Sequence, residues 1–163
     1  MNELTVVDLG PSSVLLRRAG ADDIPAIVDL LAADQLGATR DGARTPEDLA
    51  GYLEAFRAID GDPAQLLVVA ESGPDIVATM QLSFLPGLAR RGALRAQIEA
   101  VRVDGAYRSR GLGAAMIGWA IGEARRRGCA LVQLTTDKSR TSAHRFYERL
   151  GFVASHEGMK LAL

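Results

Sequence analysis

The chain has 163 residues, 48% of them hydrophobic, and carries 19 Lys+Arg against 20 Asp+Glu for a net charge of −1. One domain over residues 1–163 is expected, and the near-neutral balance excludes a protein that holds nucleic acid or an anionic membrane by its overall field. A single cysteine, Cys129, excludes an internal disulfide and points to a reducing, cytoplasmic setting.

The N-terminal stretch places Glu3 and Asp8 where a secretory leader needs a basic start and an unbroken apolar core, so export is not expected. The twelve uncharged residues between Arg110 and Glu123 are too few to cross a bilayer, which takes about 20. The first strand reads over 13–19 ("SVLLRRA"). A helix follows over 21–35, with Asp22 or Asp23 as cap, Pro25 in its first turn, and Ile24, Ile27, Val28 and Leu31 at helical spacing. A polar link containing Arg40 and Arg44 leads to a second helix over 45–59, where Thr45, Pro46 and Asp48 form a variant of the capping box. "QLLVVAES" and "DIVATMQLSFL" flank a Gly-Pro turn and read as a hairpin.

Residues 87–97 gather Arg90, Arg91 and Arg95 and read as a solvated loop. The alternative is that this loop reaches a second subunit of a homodimer or, with Arg40 and Arg44, an acceptor carrying a carboxylate or phosphate. A strand over 96–104 comes next, and strict alternation puts Gln97, Glu99, Val101 and Val103 on one face. The following helix runs to about Arg127, with Gly128 as its stop and Met116, Trp119 and Ala120 in the core. "CALVQLTT" reads as a buried strand with Cys129 a small core residue at its start. A last helix carries Ala143, Phe146, Tyr147 and Leu150 on one face and stops at Gly151, and "EGMKLAL" closes the chain as a strand. The order describes an α/β fold: a mixed, mostly antiparallel central sheet flanked by helices.

The stretch "YRSRGLGAAM" (107–116) sits where a strand hands over to a helix. The first amides of a helix lack intrahelical partners and, with the macrodipole, suit phosphate oxygens. Glycine at 111 and 113 lets an anion approach the backbone, while Arg108 and Arg110 add charge, so a diphosphate is the expected guest; the bland alternative is a simple turn. Two better-known phosphate loops do not fit. A dinucleotide fingerprint wants glycine where Met116 stands, and the Gly-Lys-Ser/Thr of a Walker A loop is missing.

What the stretch resembles is the acetyl-CoA signature of the GCN5-related N-acetyltransferase (GNAT) family, Gln/Arg-x-x-Gly-x-Gly/Ala after a strand ending in valine. Arg108, Gly111 and Gly113 match that core, with Val103 at the strand end. "AHRFYERLGF" (143–152) is similar to the family's later motif, an alanine before a Phe/Leu-Tyr pair and a closing Gly-Phe. Gly105 and Ser109 depart from common family residues, and Arg140 stands where many relatives carry an asparagine that touches the cofactor arm. The resemblance implies a GNAT-like fold and transfer of an acetyl group from acetyl-CoA to an amine of a small molecule or a protein. It further implies a diphosphate held by Arg108, Ser109, Arg110, Gly111, Leu112 and Gly113. Val101, Arg102 and Val103 would line the pantetheine arm, Val101 and Val103 through their backbone, with the Val101 amide as oxyanion donor. Ser139 or Thr141 would replace that asparagine contact, and Arg140 and Phe146 complete the implied set.

Glu99 is the candidate base. Sharing a face with two valines would desolvate its carboxyl and raise its pKa toward neutrality; the alternative is a strand carboxylate paired with Arg95 or Arg102. Tyr147 is the candidate general acid to the thiolate, against a plain core tyrosine. His144 reads as solvent-facing or structurally bonded, and no metal is expected. A binding module that senses acetyl-CoA without turnover is the alternative function, and a nucleotide-binding domain for NAD or ATP a more distant one.

Overall fold

Apolar runs in the first two-thirds of the chain build a sheet whose order follows the sequence: β1 Glu3–Asp8, β2 Ser13–Arg18, β3 Gln65–Ser72, β4 Asp75–Leu85, β5 Arg95–Val103 and β6 Leu131–Leu134. This computed structural model describes residues 3–10, 12–34, 37–43 and 45–163. Strands β1 to β5 are antiparallel neighbours. The Ala130 amide donates to Leu94 O at 2.8 Å and Gln133 Nε2 to Gln97 Oε1 at 2.6 Å, so β6 runs parallel to the first half of β5. The hairpin of β3 and β4 turns at Gly73, whose φ of +58° suits glycine.

Strand β1 is absent from the sequence expectation because its apolar residues do not mark a buried face: Leu4 is 37% and Val6 65% exposed on an edge strand. The arginine-rich segment is indeed exposed, but Ala89–Gly92 coils as a left-handed turn, with Arg90, Arg91 and Gly92 all at positive φ.

The two faces of the sheet are covered by different helices. Leu67 and Val69 of β3 pack with Ala19 and with Ile24, Ile27 and Val28 of α1 (Ile24–Ala32) and Phe56 of α2 (Pro46–Asp60). The expected capping box opens α2: Thr45 Oγ1 accepts from the Asp48 amide and the Thr45 amide donates to Asp48 Oδ2. A 3₁₀ turn, Ala21–Asp23, leads into α1, and Asp23 rather than Asp22 is the working residue. Its carboxylate accepts from the Gly20 amide at 2.7 Å and from both terminal nitrogens of Arg17 at 2.7 and 2.8 Å. Arg17 also donates to Glu71 at 2.6 Å, tying β2, β3 and the helix start together.

On the opposite face, α3 (Leu112–Arg126) lies against β4 and β5 and buries Leu112, Met116, Ile117, Ala120 and Ala124. Trp119, expected in the core, is half-exposed. Gly128 ends this helix at φ +75°, with the Cys129 amide donating back to Ala124 O at 2.9 Å, a Schellman stop. Arg127 stacks over the Phe84 ring at 3.9 Å. Cys129 is half-buried just before β6, and burial pushes its thiol pKa up, away from nucleophile chemistry. The four residues of β6 are half-buried, less enclosed than expected.

By packing the chain divides into residues up to Gln133 and a second unit, Leu134–Leu163. In the second unit α4 (Thr141–Arg149) stops at Gly151, at φ +90°, where the Phe152 amide donates to Tyr147 O at 3.1 Å. The expected closing strand over 157–163 is not formed. Its alternation of Met159, Leu161 and Leu163 is real, but these side chains are exposed, and a strand exists only where a neighbour takes up its backbone donors and acceptors.

Candidate active site

A break in strand alternation organises the chemistry of the first unit. Gln81 opposes Glu99 and Thr79 opposes Arg102, so Met80 faces two residues, Ala100 and Val101. This is a β-bulge, and Ala100 takes φ +52° to make it. Directly opposed residues share a face, so the face of Glu99 holds Gln97, Gln81, Ser83, Thr79 and Arg102, while Val103 sits with Ala78 on the other. The expected common face of Glu99, Val101 and Val103 is therefore wrong beyond residue 99, and the desolvation expected from those valines is missing. Glu99 is exposed. It is not the ion-pair partner of Arg95 or Arg102 among the described residues; Arg102 instead pairs with Asp34 at 3.5 Å and donates to Val101 O at 2.9 Å.

Glu99 lies in an open cleft of about 360 Å³, walled by Ile59 and Asp62 at the end of α2 and floored by Gln65, Gln81 and Ser83. The arginines of residues 90–95 are exposed, and neither they nor Arg40 line this cleft; Arg44 lies outside the described residues.

Past the bulge, the strand end is built to present a loop. The Asp104 amide donates to Val77 O at 2.8 Å, so ladder alternation turns the peptide groups of Val103 toward the far edge, where its carbonyl accepts from Arg108 Nε at 3.1 Å. Asp104 caps the turn Gly105–Tyr107 through the Ala106 amide. Tyr107, which the sequence reading passed over, anchors the loop: its hydroxyl donates to Ser72 Oγ at 2.9 Å and its ring lies 5.5 Å beneath the Arg110 guanidinium. Only its place between Asp104 and the arginines hinted at this.

Ser109 and Gly111 are both left-handed, at φ +61° and +87°. Ser109 is thus an L-residue in a backbone region where glycine would carry no steric cost. Gly111 opens α3, and an added Cβ there would meet nothing within 4 Å, so the space above the first helical amides is clear. Arg108, Ser109 and Arg110 are exposed around it, while the Leu112 side chain is wholly buried and offers only its amide. The loop therefore brings Arg108 to Gly113 together at one helix start, a fit to a diphosphate.

In the second unit, Asp137 organises the turn before α4: its carboxylate accepts from the Ser139 amide at 2.9 Å and hydroxyl at 2.6 Å, and its carbonyl accepts from His144 Nε2 at 3.0 Å. His144 is thus structurally bonded, as expected, and the Ser139 hydroxyl donates within its own turn. Arg140 occupies the N-cap position. Tyr147 is half-buried with edge-to-face contacts to Phe146 at 5.1 Å and Phe152 at 5.8 Å. The Lys138 ammonium pairs with Glu157. Among the described residues no helix is long and apolar enough to cross a membrane.

A solved Trypanosoma brucei acetyltransferase superposes with a TM-score of 0.74 at 29% identity, covering 92% of this chain and 99% of that one. A transcriptional regulator from Bacillus halodurans C-125 is more similar still, with a TM-score of 0.87 and 45% identity over 92% of this chain and 99% of that one. Residues 27–152 match the model of the Acetyltransferase (GNAT) family, and the chain belongs to that family. A glucosamine 6-phosphate N-acetyltransferase from Trypanosoma brucei brucei is 41% identical over 88 residues, 54% of this chain and 58% of that enzyme. The match thus spans less than two-thirds of that relative.

Proposed function

We propose that the protein is an acetyl-CoA-dependent N-acetyltransferase acting on an amine in a cytoplasmic setting. The observation that carries this reading is the helix start at Gly111, left-handed, open above its Cα and flanked by Arg108 and Arg110, inside the segment that matches the family. Bound acetyl-CoA supplies the activated acyl group as a thioester. The chain's own residues do the rest. Arg108 to Gly113 hold the diphosphate with charge and backbone amides. The peptide groups of Val101 and Val103 orient the arm, and the Val101 amide stabilises the developing oxyanion. Glu99 takes the proton of the acceptor ammonium through a water, freeing the amine to attack, and Tyr147 gives its phenolic proton to the departing thiolate. That thiolate has a pKa near ~8.5, within reach of a phenol.

One observation favours a second reading, a module that binds acetyl-CoA and regulates a partner without turnover. The structure 45% identical to this chain is named a transcriptional regulator. A thermal-shift comparison with acetyl-CoA, CoA, NAD and ATP tests the shared premise, since a ligand at 100 times its Kd adds roughly 2.7 kcal/mol. Stabilisation by the two coenzyme A species alone supports both readings; no response to either sinks both. Release of CoA thiol with a panel of amines, lost in Tyr147→Phe, then selects the enzyme, and binding with no release for any amine selects the regulator.

A further inference from the structure

The cleft beside Glu99 has a floor unlike the rest of its sheet face. Beneath α1 and α2 that face is Leu67 and Val69, packed dry. Further along the same face the side chains become Gln65, Gln81, Ser83, Gln97 and Glu99. Polar groups on a sheet face are costly unless they meet partners or water; the glutamines and Ser83 meet partners, and Glu99 is exposed. Gln65 Oε1 accepts from Ser83 Oγ at 2.7 Å and from Gln81 Nε2 at 3.3 Å, and Gln97 Oε1 accepts from Gln133 Nε2 at 2.6 Å. The network fixes the floor.

The charges around that space are of one sign. Asp62 and Glu99 line it, and no cationic side chain does among the described residues. Asp62 uses one oxygen to accept from the Ala64 amide at 2.8 Å, which fixes the carboxylate in an Asx turn at the end of α2. Of the arginines that suggested an anionic acceptor, the described ones, Arg40, Arg90, Arg91 and Arg95, do not line it. A volume of about 360 Å³ suits a small molecule.

We propose that this cleft is the acceptor subsite and that it selects a diamine: Glu99 meets the ammonium that reacts, and Asp62 holds a second ammonium on the same molecule. This inference rests on the acetyltransferase reading. It also sets the chain apart from the phosphorylated substrate in the name of its trypanosomal relative, because a phosphate would enter a cleft walled by carboxylates.

The test is titration of the ¹⁵N-labelled full chain, with CoA present, by three molecules of matched length: 1,3-diaminopropane, 3-amino-1-propanol and 3-aminopropylphosphonate. The expected result is that amide resonances of residues 58–65 and 81–83 move with the diamine, which binds about tenfold more tightly than the phosphonate at low salt, the alcohol falling between. Asp62→Asn keeps an oxygen for the Ala64 amide and removes the charge, so the fold holds while the diamine loses its advantage. Equal or tighter binding of the phosphonate, no cleft shift with any of the three, or an unchanged order in Asp62→Asn overturns the proposal. CoA release from acetyl-CoA with the diamine is measured in parallel. Release without cleft shifts overturns the subsite alone, and the predicted shifts without release overturn the enzyme reading alone.

Discussion

Two residues of the loop that leads into α3 give substitutions of opposite sign. Ser109 and Gly111 both hold left-handed backbone, at φ +61° and +87°. An L-residue there costs roughly 1–2 kcal/mol, whereas glycine carries no steric penalty but gives up about 0.5–1 kcal/mol more chain entropy on folding. Ser109→Gly should therefore stabilise the protein by about 0.5–1 kcal/mol. Gly111→Ala should destabilise it by a similar ~0.5–1 kcal/mol, the steric cost less the entropy regained, and through backbone alone, because the added methyl meets nothing within 4 Å. For a chain of 163 residues each kcal/mol moves Tm by ~2–4 °C, so the two variants should bracket the parent by about 1–4 °C on each side in calorimetry. If Ser109→Gly lowers Tm, or Gly111→Ala leaves it unchanged, the loop does not hold these dihedrals and the cradle built on them falls.

Other expectations are as direct. Arg17, hydrogen-bonded to Asp23, holds that carboxyl below its usual range despite burial, so the pair's stabilisation is complete above the unfolded value of about 3.9 and is lost as pH falls below it. Urea midpoints at pH 6 and pH 3 should drop more for the parent than for Asp23→Asn; parallel drops refute the link. Asp23→Ala should cost about 2–3 kcal/mol at neutral pH, less than the ~3–5 kcal/mol of an isolated buried pair because Arg17 keeps Glu71. Thr45→Ala, which removes half of the capping box of α2, should cost about 1 kcal/mol in the same assay. Tyr147→Phe should lower kcat on the order of 10²-fold while stabilisation by acetyl-CoA is unchanged; a fall in coenzyme stabilisation instead would make Tyr147 a binding residue.

Local signals were legible in the sequence wherever a few adjacent residues decide the outcome. The Thr45–Asp48 box, the Gly-Pro hairpin and the stops at Gly128 and Gly151 depend on near neighbours and stand as read. Features set by distant partners were not. Strand β1 hides because an edge strand need not bury its apolar residues, and the closing segment misleads because alternation does not supply a neighbour. The arginines around Gly111 could be read as one constellation because they are contiguous. The cleft could not, since Ile59, Asp62, Gln65, Gln81 and Glu99 come from three separate stretches of chain. The bulge left no composition cue: alanine at 100 is an unremarkable residue in a left-handed pose, held there by the pairing on either side.

That one extra residue makes β5 a strand with two phases. Up to Glu99 its odd positions share the sheet face on which the cleft lies; after Ala100 the parity inverts, and Arg102 takes that side while Val103 looks the other way. Substitution of Gln97 or Glu99 can thus alter one face of the sheet while the strand end that leads to Arg108 keeps its own frame. Deleting Ala100 would leave Met80 facing Val101 alone, so the ladder would run unbroken with Arg102 and Val103 on their present faces, and the left-handed kink that separates the two ends would be lost.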